Sequence, residues 1–390
     1  MSTASQWVDK LLNNHIFAND PRIIELRSIK NQDQELDFSQ LKNTTEQWIN
    51  DFQNNDWVVS DFDAFLNHIE AIYEQSKLST DGEVATYIPQ LERVKPDLFA
   101  VSICTIDGQV ASFGDKEEWF CTQSISKVIS YWLALEEYGD RVVHSYIGQE
   151  PSGRSFNELS LNHKGQPHNP MLNSGGIVTS SMIRSYEDPA DRFDYVMRRW
   201  EELCHSSVRF NNSVYSSEKV TADRNYALGY LMKENNAFPD ETPNLDNILD
   251  FYFQCCSIEV QTQHLAIGAA TLASGGIHPL GSRRVLQPHI NRHVLSTMLS
   301  CGMYDYSGEF AFLMGLPAKS GVSGGIMIVL PGIGGLGIWS PKLDRCGNSV
   351  RGIEFCRLLT ERFAFHMFDG LGRKGCGKLD VETAFLWSKP

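Results

Sequence analysis

Through the first eighty residues, apolar and polar positions alternate with helical spacing. Trp7, Leu11 and Leu12 make one apolar stripe, Trp48, Ile49 and Phe52 a second, and Phe62, Phe65, Leu66, Ile69 and Ile72 a third. Asp61 stands where the third stripe begins and is expected to cap that helix. The pattern breaks at Ser79-Thr80-Asp81-Gly82, a polar turn that sets an N-terminal helical domain, 1–80, apart from the rest of the chain. From Leu98 the period shortens. Leu98 to Ile106 and Gln109 to Phe113 are β-type runs joined by Asp107-Gly108, a strong hairpin signal. A second hairpin is expected where Gly325 to Leu330 and Leu336 to Trp339 flank a run of glycines. Residues 115–300 between the hairpins are mostly helical and loop-like in pattern, and Ile353 to Phe368 is helical again. The expectation is an α/β protein of the α+β type. Its antiparallel sheet takes strands from both ends of one domain, 81–369, and is flanked by helices with a helical subdomain inserted. Residues 370–390, glycine-rich and charged, are expected to form a flexible tail.

Composition narrows the classes of function. With 42% hydrophobic and 21% charged residues the chain fits a globular protein with a substantial core, and its net charge of −14 disfavours nucleic acid and anionic membranes as partners. No 18-residue apolar run suggests a membrane span. The first thirty residues lack the features of a signal or transit peptide, so cytoplasm is the expectation. Nine cysteines without a C-x-x-C read as reduced thiols, and no metal site is expected. Gly332-Ile333-Gly334-Gly335-Leu336-Gly337 matches the dinucleotide fingerprint G-x-G-x-x-G, but Ile338-Trp339-Ser340-Pro341 follows in place of a helix, so a hairpin turn is expected instead.

The chemistry-bearing signal is Ser-x-x-Lys, which occurs at Ser39–Lys42, Ser124–Lys127 and Ser216–Lys219. A serine hydroxyl needs a base within hydrogen-bond reach, and a lysine serves only where burial favours its neutral form. The middle copy alone is followed by an apolar helical segment, Val128 to Leu135, which can desolvate the amine. Hydrolases of the Ser-x-x-Lys class carry a further Lys-[Ser/Thr]-Gly element on a strand. Lys319-Ser320-Gly321 supplies it, whereas Ser-Asp-Asn, the middle element of β-lactamases and penicillin-binding enzymes, is absent.

With these motifs the chain resembles the serine-dependent glutaminases. The matching segments are Tyr87 to Leu91, Gln123 to Lys127, Pro167 to Asn173, Asp223-Arg224-Asn225, Asp250 to Gln254, Cys301 to Asp305 and the Lys319 segment. The resemblance covers about Gly82 to Phe368 and implies a β-lactamase/DD-peptidase-like fold. The preceding helices resemble the N-terminal region of the animal kidney-type and liver-type enzymes, and a bacterial or otherwise cytosolic member without ankyrin repeats is expected. The resemblance implies hydrolysis of L-glutamine to L-glutamate and ammonia, with Ser124 as nucleophile and Lys127 as base. It further implies an oxyanion hole from the backbone N–H groups of Ser124 and Val322, and Tyr304 or Tyr252 as proton relay. Glu218 would hold the substrate ammonium, Asn173, Asn225 and Tyr252 its carboxylate, and Tyr87 would close the pocket. No cofactor is implied, phosphate is a candidate activator, and a homo-oligomer, a dimer, tetramer or higher assembly, is expected. Pro151 to Leu159 resembles a loop that couples activity to tetramer formation in the animal enzymes, although Ser160 follows where those carry an aromatic residue. The competing readings are an esterase or β-lactam-type amidase on the same scaffold, and a non-catalytic amino-acid-binding scaffold.

Overall fold

A computed structural model describes residues 2–30, 32, 34–153, 158–240, 242, 244–369 and 378–381. Residues 154–157 of the loop resembling the tetramer-coupling segment, and most of the tail, lie outside that set.

The three N-terminal stripes become helices. The first, α1 (Ala4–Leu12), is closed at its start by a capping box between Thr3 and Gln6, and α2 (Pro21–Ser28) and α3 (Asn43–Asn54) come next. They bury Trp7, Leu11, Ile23, Leu26, Trp48 and Ile49 in a small core of their own. That core is tied to the rest by Arg22. Its guanidinium pairs with Asp20 at 2.7 Å, donates to the carbonyls of Asp107 and Pro279, and stacks on Trp48 at 3.9 Å. Helix α4 (Phe62–Lys77), capped by Asp61 as its sequence predicts, behaves differently. Phe62, Phe65, Ile69 and Ile72 pack into the core of the sheet, with Phe65 against Phe363 at 5.2 Å. The packing boundary therefore falls between Trp57 and Phe62, ahead of the polar turn at 79–82, because the apolar face of α4 matches the sheet rather than the three helices before it.

After the short α5 (Pro89–Glu92), β1 (Ala100–Thr105) and β2 (Val110–Gly114) form the hairpin announced by Asp107-Gly108. A short β3 (Phe120–Cys121) leads through a 3₁₀ turn, Gln123–Ile125, into α6 (Ser126–Tyr146), which is kinked at Gly139. The helical subdomain continues through α7 (Asn173–Met182), α8 (Pro189–Cys204), β4 (Arg209–Phe210), α9 (Asn212–Val220), α10 (Asp223–Glu234), α11 (Leu245–Cys256) and β5 (Ile258–Val260). Then α12 (Thr262–Ala273), α13 (Pro288–Cys301) and α14 (Ser307–Leu313) precede β6 (Ala318–Ser320), β7 (Gly325–Leu330) and β8 (Gly334–Trp339), and α15 (Val350–Arg362) closes the domain. The main sheet is antiparallel in the order β2-β1-β8-β7-β6, so strands from both ends of the domain do meet.

Helices α4 and α15 cover one face of the sheet, and α12 the other. The glycines of the dinucleotide-like motif find their reason here. A Cβ on Gly335 would lie 2.3 Å from Ala270 N, and one on Gly337 2.0 Å from Thr262 O, so bare backbone in β8 is what lets α12 lie directly on the sheet. Two expectations need adjusting. A second sheet, β3-β5-β4, joins segments read as helical or loop, because strands of two or three residues leave no periodicity to detect. The last helix stops at Arg362 rather than Phe368, since Phe363 and Phe365 turn inward to stack on each other at 5.1 Å.

Candidate active site

Ser124 sits in the 3₁₀ turn at the head of α6, where the helix dipole is positive. Its predecessor Gln123 holds a left-handed backbone, φ +48°, an unfavourable conformation for a residue with a side chain. Three positions on, Lys127 is on the same side of the helix and donates from Nζ to Ser124 Oγ at 2.7 Å. The lysine is 1% exposed. Burial lowers its pKa to about 8, against the opposing pull of Cys256 and Glu218. Roughly a tenth of the amine is then neutral at pH 7, enough to accept a proton from a neighbouring hydroxyl.

Helix α7 makes that burial close. A Cβ on Gly176 would stand 2.8 Å from Lys127 Cε and 3.1 Å from Cγ, so the glycine is a slot for the lysine stem. Asn173 is the first residue of this helix. It accepts from Tyr252 Oη at 3.3 Å and donates to Asn225 Oδ1 at 3.5 Å, which joins α7, α10 and α11. The Tyr252 ring lies 5.5 Å from Lys127 Nζ.

Opposite this cluster, Glu218 on α9 is buried and is held by two neutral donors. Tyr87 Oη donates at 2.5 Å and Gln123 Nε2 at 3.0 Å, both to Oε1. Burial raises the carboxyl pKa, and these hydrogen bonds with the positive field of Lys127 oppose the rise. Among the described residues no Lys, Arg or His forms an ion pair with Glu218. Tyr87 is 45% exposed, yet its hydroxyl end is inside, and desolvation with the adjacent carboxylate pushes its pKa well up.

Tyr304 also has a left-handed backbone, φ +53°, and its buried hydroxyl interacts with Ser124 and with the backbone N–H of Val322. Lys319, on β6, is wholly buried beneath it. Its Nζ donates to the carbonyls of Ser320 at 2.7 Å and Gly302 at 3.1 Å and lies 4.4 Å from the Tyr304 ring centroid. The structure thus brings together Tyr87, Ser124, Lys127, Asn173, Glu218, Asn225, Tyr252, Tyr304 and Val322.

Sequence reasoning missed Gln123, Gly176 and Cys256. The thiol of Cys256 contacts Ser126 Oγ at 3.9 Å, is hydrogen-bonded to Tyr252, and is driven to a pKa of about 11 by burial, with Lys127 pulling it back. The only hint was position: Gln123 adjoins the nucleophile candidate, and Cys256 lies four residues after Tyr252 on one helix face. Among the described residues no group of three His, Cys, Asp or Glu side chains is placed to hold a metal, and no helix is long and apolar enough to cross a membrane.

An antiparallel sheet covered by helices, with the serine and lysine at the head of a helix facing a Lys-Ser-Gly strand, is the β-lactamase-like fold. Within that class the chain belongs to the glutaminase family, whose family model matches residues 82–368. It is 51% identical to putative glutaminase 2 of Caenorhabditis elegans over 81% of this chain and 52% of that protein. It is 46% identical to the mouse glutaminase liver isoform, mitochondrial, over 83% and 54%, and 40% identical to a Nostoc glutaminase over 81% and 95%. The chain therefore spans about half the length of the animal relatives it matches. Among solved structures, Mglu in its native form superposes with a TM-score of 0.73 at 36% identity over 77% of this chain and 72% of that one. The probable glutaminase ybaS gives the same score and identity over 77% and 97%.

Proposed function

We propose that this protein hydrolyses the side-chain amide of L-glutamine through an acyl-enzyme on Ser124. The observation that carries the proposal is the 2.7 Å hydrogen bond between a wholly buried Lys127 and Ser124, beside a buried carboxylate. Neutral Lys127 takes the Ser124 proton as Oγ attacks the γ-carbonyl carbon. The oxygen that becomes negative is received by the N–H groups of Ser124 and Val322. As the tetrahedral intermediate collapses, the C–N bond breaks and the proton held by Lys127 passes to the departing nitrogen, leaving a γ-glutamyl ester. Water, deprotonated by the same amine, then attacks the ester, and Ser124 recovers its proton as glutamate leaves.

Tyr304, whose hydroxyl adjoins Ser124, is better placed to relay that proton than Tyr252, whose hydroxyl is shared between Asn173 and Cys256. Glu218 receives the α-ammonium, because a buried carboxylate held only by neutral donors gains most from a cation. Asn173, Asn225 and Tyr252 take the α-carboxylate, and Tyr87 closes over the ammonium. The chemistry requires no metal or nucleotide, and homo-oligomer formation is proposed from the family resemblance.

The test is ammonia release from L-glutamine and from L-asparagine by purified protein, with and without phosphate. Turnover of glutamine that disappears in a folded Ser124→Ala variant is expected. Turnover surviving that substitution sinks the mechanism, and none on glutamine sinks the function.

A further inference from the structure

A cavity of about 250 Å³, lined by residues that adjoin site residues along the chain, plays no part in the proposed reaction. Trp119, Phe120 and Trp339 give it aromatic walls, and the Phe120 and Trp339 rings are stacked in parallel at 5.2 Å. Among the described residues two buried polar atoms of its lining, Gln90 Oε1 and Ser323 Oγ, have no hydrogen-bond partner, and Ser323 is only 7% exposed. Unpaired buried acceptors are costly and call for a donor. Among the described residues the lining also carries Glu259, which Asn211 Nδ2 steadies at 2.7 Å, and Glu118, against the basic Lys95; Arg209, outside the lining, stacks on Trp119 at 3.8 Å. Flat apolar walls, orphaned acceptors and an acidic balance specify one kind of ligand.

The cavity is mechanically continuous with the site. Leu91, Cys121 and Val214 line it and belong, with Ile88, to a small apolar cluster against which Val322 packs. Each stands close to a site residue along the chain: Leu91 four positions after Tyr87, Cys121 two before Gln123, Val214 four before Glu218 on α9, and Ser323 next to Val322. A ligand here would bear on the elements that carry Tyr87, Glu218 and Val322.

We propose that this cavity is a regulatory site for a small aromatic cation bearing N–H donors, and that its occupancy changes affinity for the substrate. The effect on affinity rests on the role of Glu218 in holding the substrate ammonium; the binding does not.

Benzamidine is the probe, titrated into the whole protein by calorimetry, with uncharged indole in a parallel arm. A dissociation constant below about 1 mM is expected for benzamidine, as its size allows. Weakening of about tenfold or more is expected in Glu259→Gln, which keeps the shape, and in Val94→Trp, which fills the cavity from its partly exposed rim. Saturating benzamidine is expected to change the KM for glutamine at least twofold or so, in the unmodified protein and not in Val94→Trp. No heat up to about 10 mM, indole binding as tightly as benzamidine, or binding indifferent to both substitutions overturns the site. Binding with an unchanged KM overturns the coupling. A protein that binds benzamidine in this way yet never turns over glutamine supports the site and overturns the proposed function.

Discussion

Two stretches of this chain share the spacing Ser-x-x-Lys on a helix and end in opposite states. At 124–127 the lysine is sealed under α7 and has Ser124 as its side-chain partner, and desolvation lowers its pKa to about 8. At 216–219 the lysine side chain is 51% exposed and pairs with Asp250 at 2.6 Å, and that carboxylate raises its pKa. Ser216 meanwhile bonds the carbonyl of Asn212, one turn back on its own helix. Burial favours the neutral amine in one copy, and the carboxylate favours the charged amine in the other. Spacing brings the two groups to one side of a helix, but the solvent around the amine decides whether the pair has chemistry. Ser39–Lys42 makes the same point from a third place, where the lysine's backbone N–H, rather than its amine, donates to Glu25.

The contrast breaks most sharply in activity. Lys127→Ala is expected to reduce kcat for glutamine by roughly ten-thousandfold, the scale seen when a member of a nucleophile–base pair is lost. Lys219→Ala is expected to leave it within about twofold and to cost stability no more than about 1 kcal/mol, as for other exposed ion pairs. Similar losses in both variants would show that the buried setting does not matter.

Gly176→Ala sharpens the comparison because it leaves Ser124 and Lys127 chemically intact and disturbs only their wall. The added Cβ would fall 2.8 Å from Lys127 Cε and must displace the stem. A fall in kcat of roughly tenfold to a hundredfold is expected, the range for a catalytic group moved by about an ångström. Ala at the exposed Gly308, where a Cβ meets nothing within 4 Å, is the control and is expected to be silent.

Legibility in the sequence followed the range of the interactions. Both main hairpins, the Asp61 cap and the apolar run behind Lys127 are local, and they were readable residue by residue. The placement of α4 was not, because its stripe says that it buries a face but not against what. Glu218 is the instructive case. Its residue type and the family resemblance suggested a role, yet its burial arises from Tyr87 and Gln123, 131 and 95 positions away along the chain. Gly176 carried no signal at all, since a glycine after Ser174-Gly175 reads as a turn until a lysine from another helix is seen lying against it. Cys256 was hidden likewise, its neighbours being supplied by α6 as well as α11.

The smallest effect separates the two lysines by stability rather than activity. Lys127 has its folded pKa depressed from 10.5 to about 8, so between those values the unfolded chain binds more protons and stability rises with pH. Below pH 8 both states are protonated and the burial penalty stands in full, on the order of 3 kcal/mol at pH 7. Above 10.5 both are neutral and it is gone. Lys127→Met removes the penalty and forfeits the hydrogen bond to Ser124, about 1 kcal/mol, so a net gain of roughly 2 kcal/mol is expected at pH 7. The gain should shrink to nothing by about pH 10. Lys219, whose pKa is displaced the other way, should show no such gain when replaced by Met. Denaturant midpoints of the two variants at pH 7 and pH 10 provide the measurement. A Lys127→Met protein no more stable than its parent at pH 7 would mean that the amine is buried at no cost, and the basis for its reactivity would fall with it.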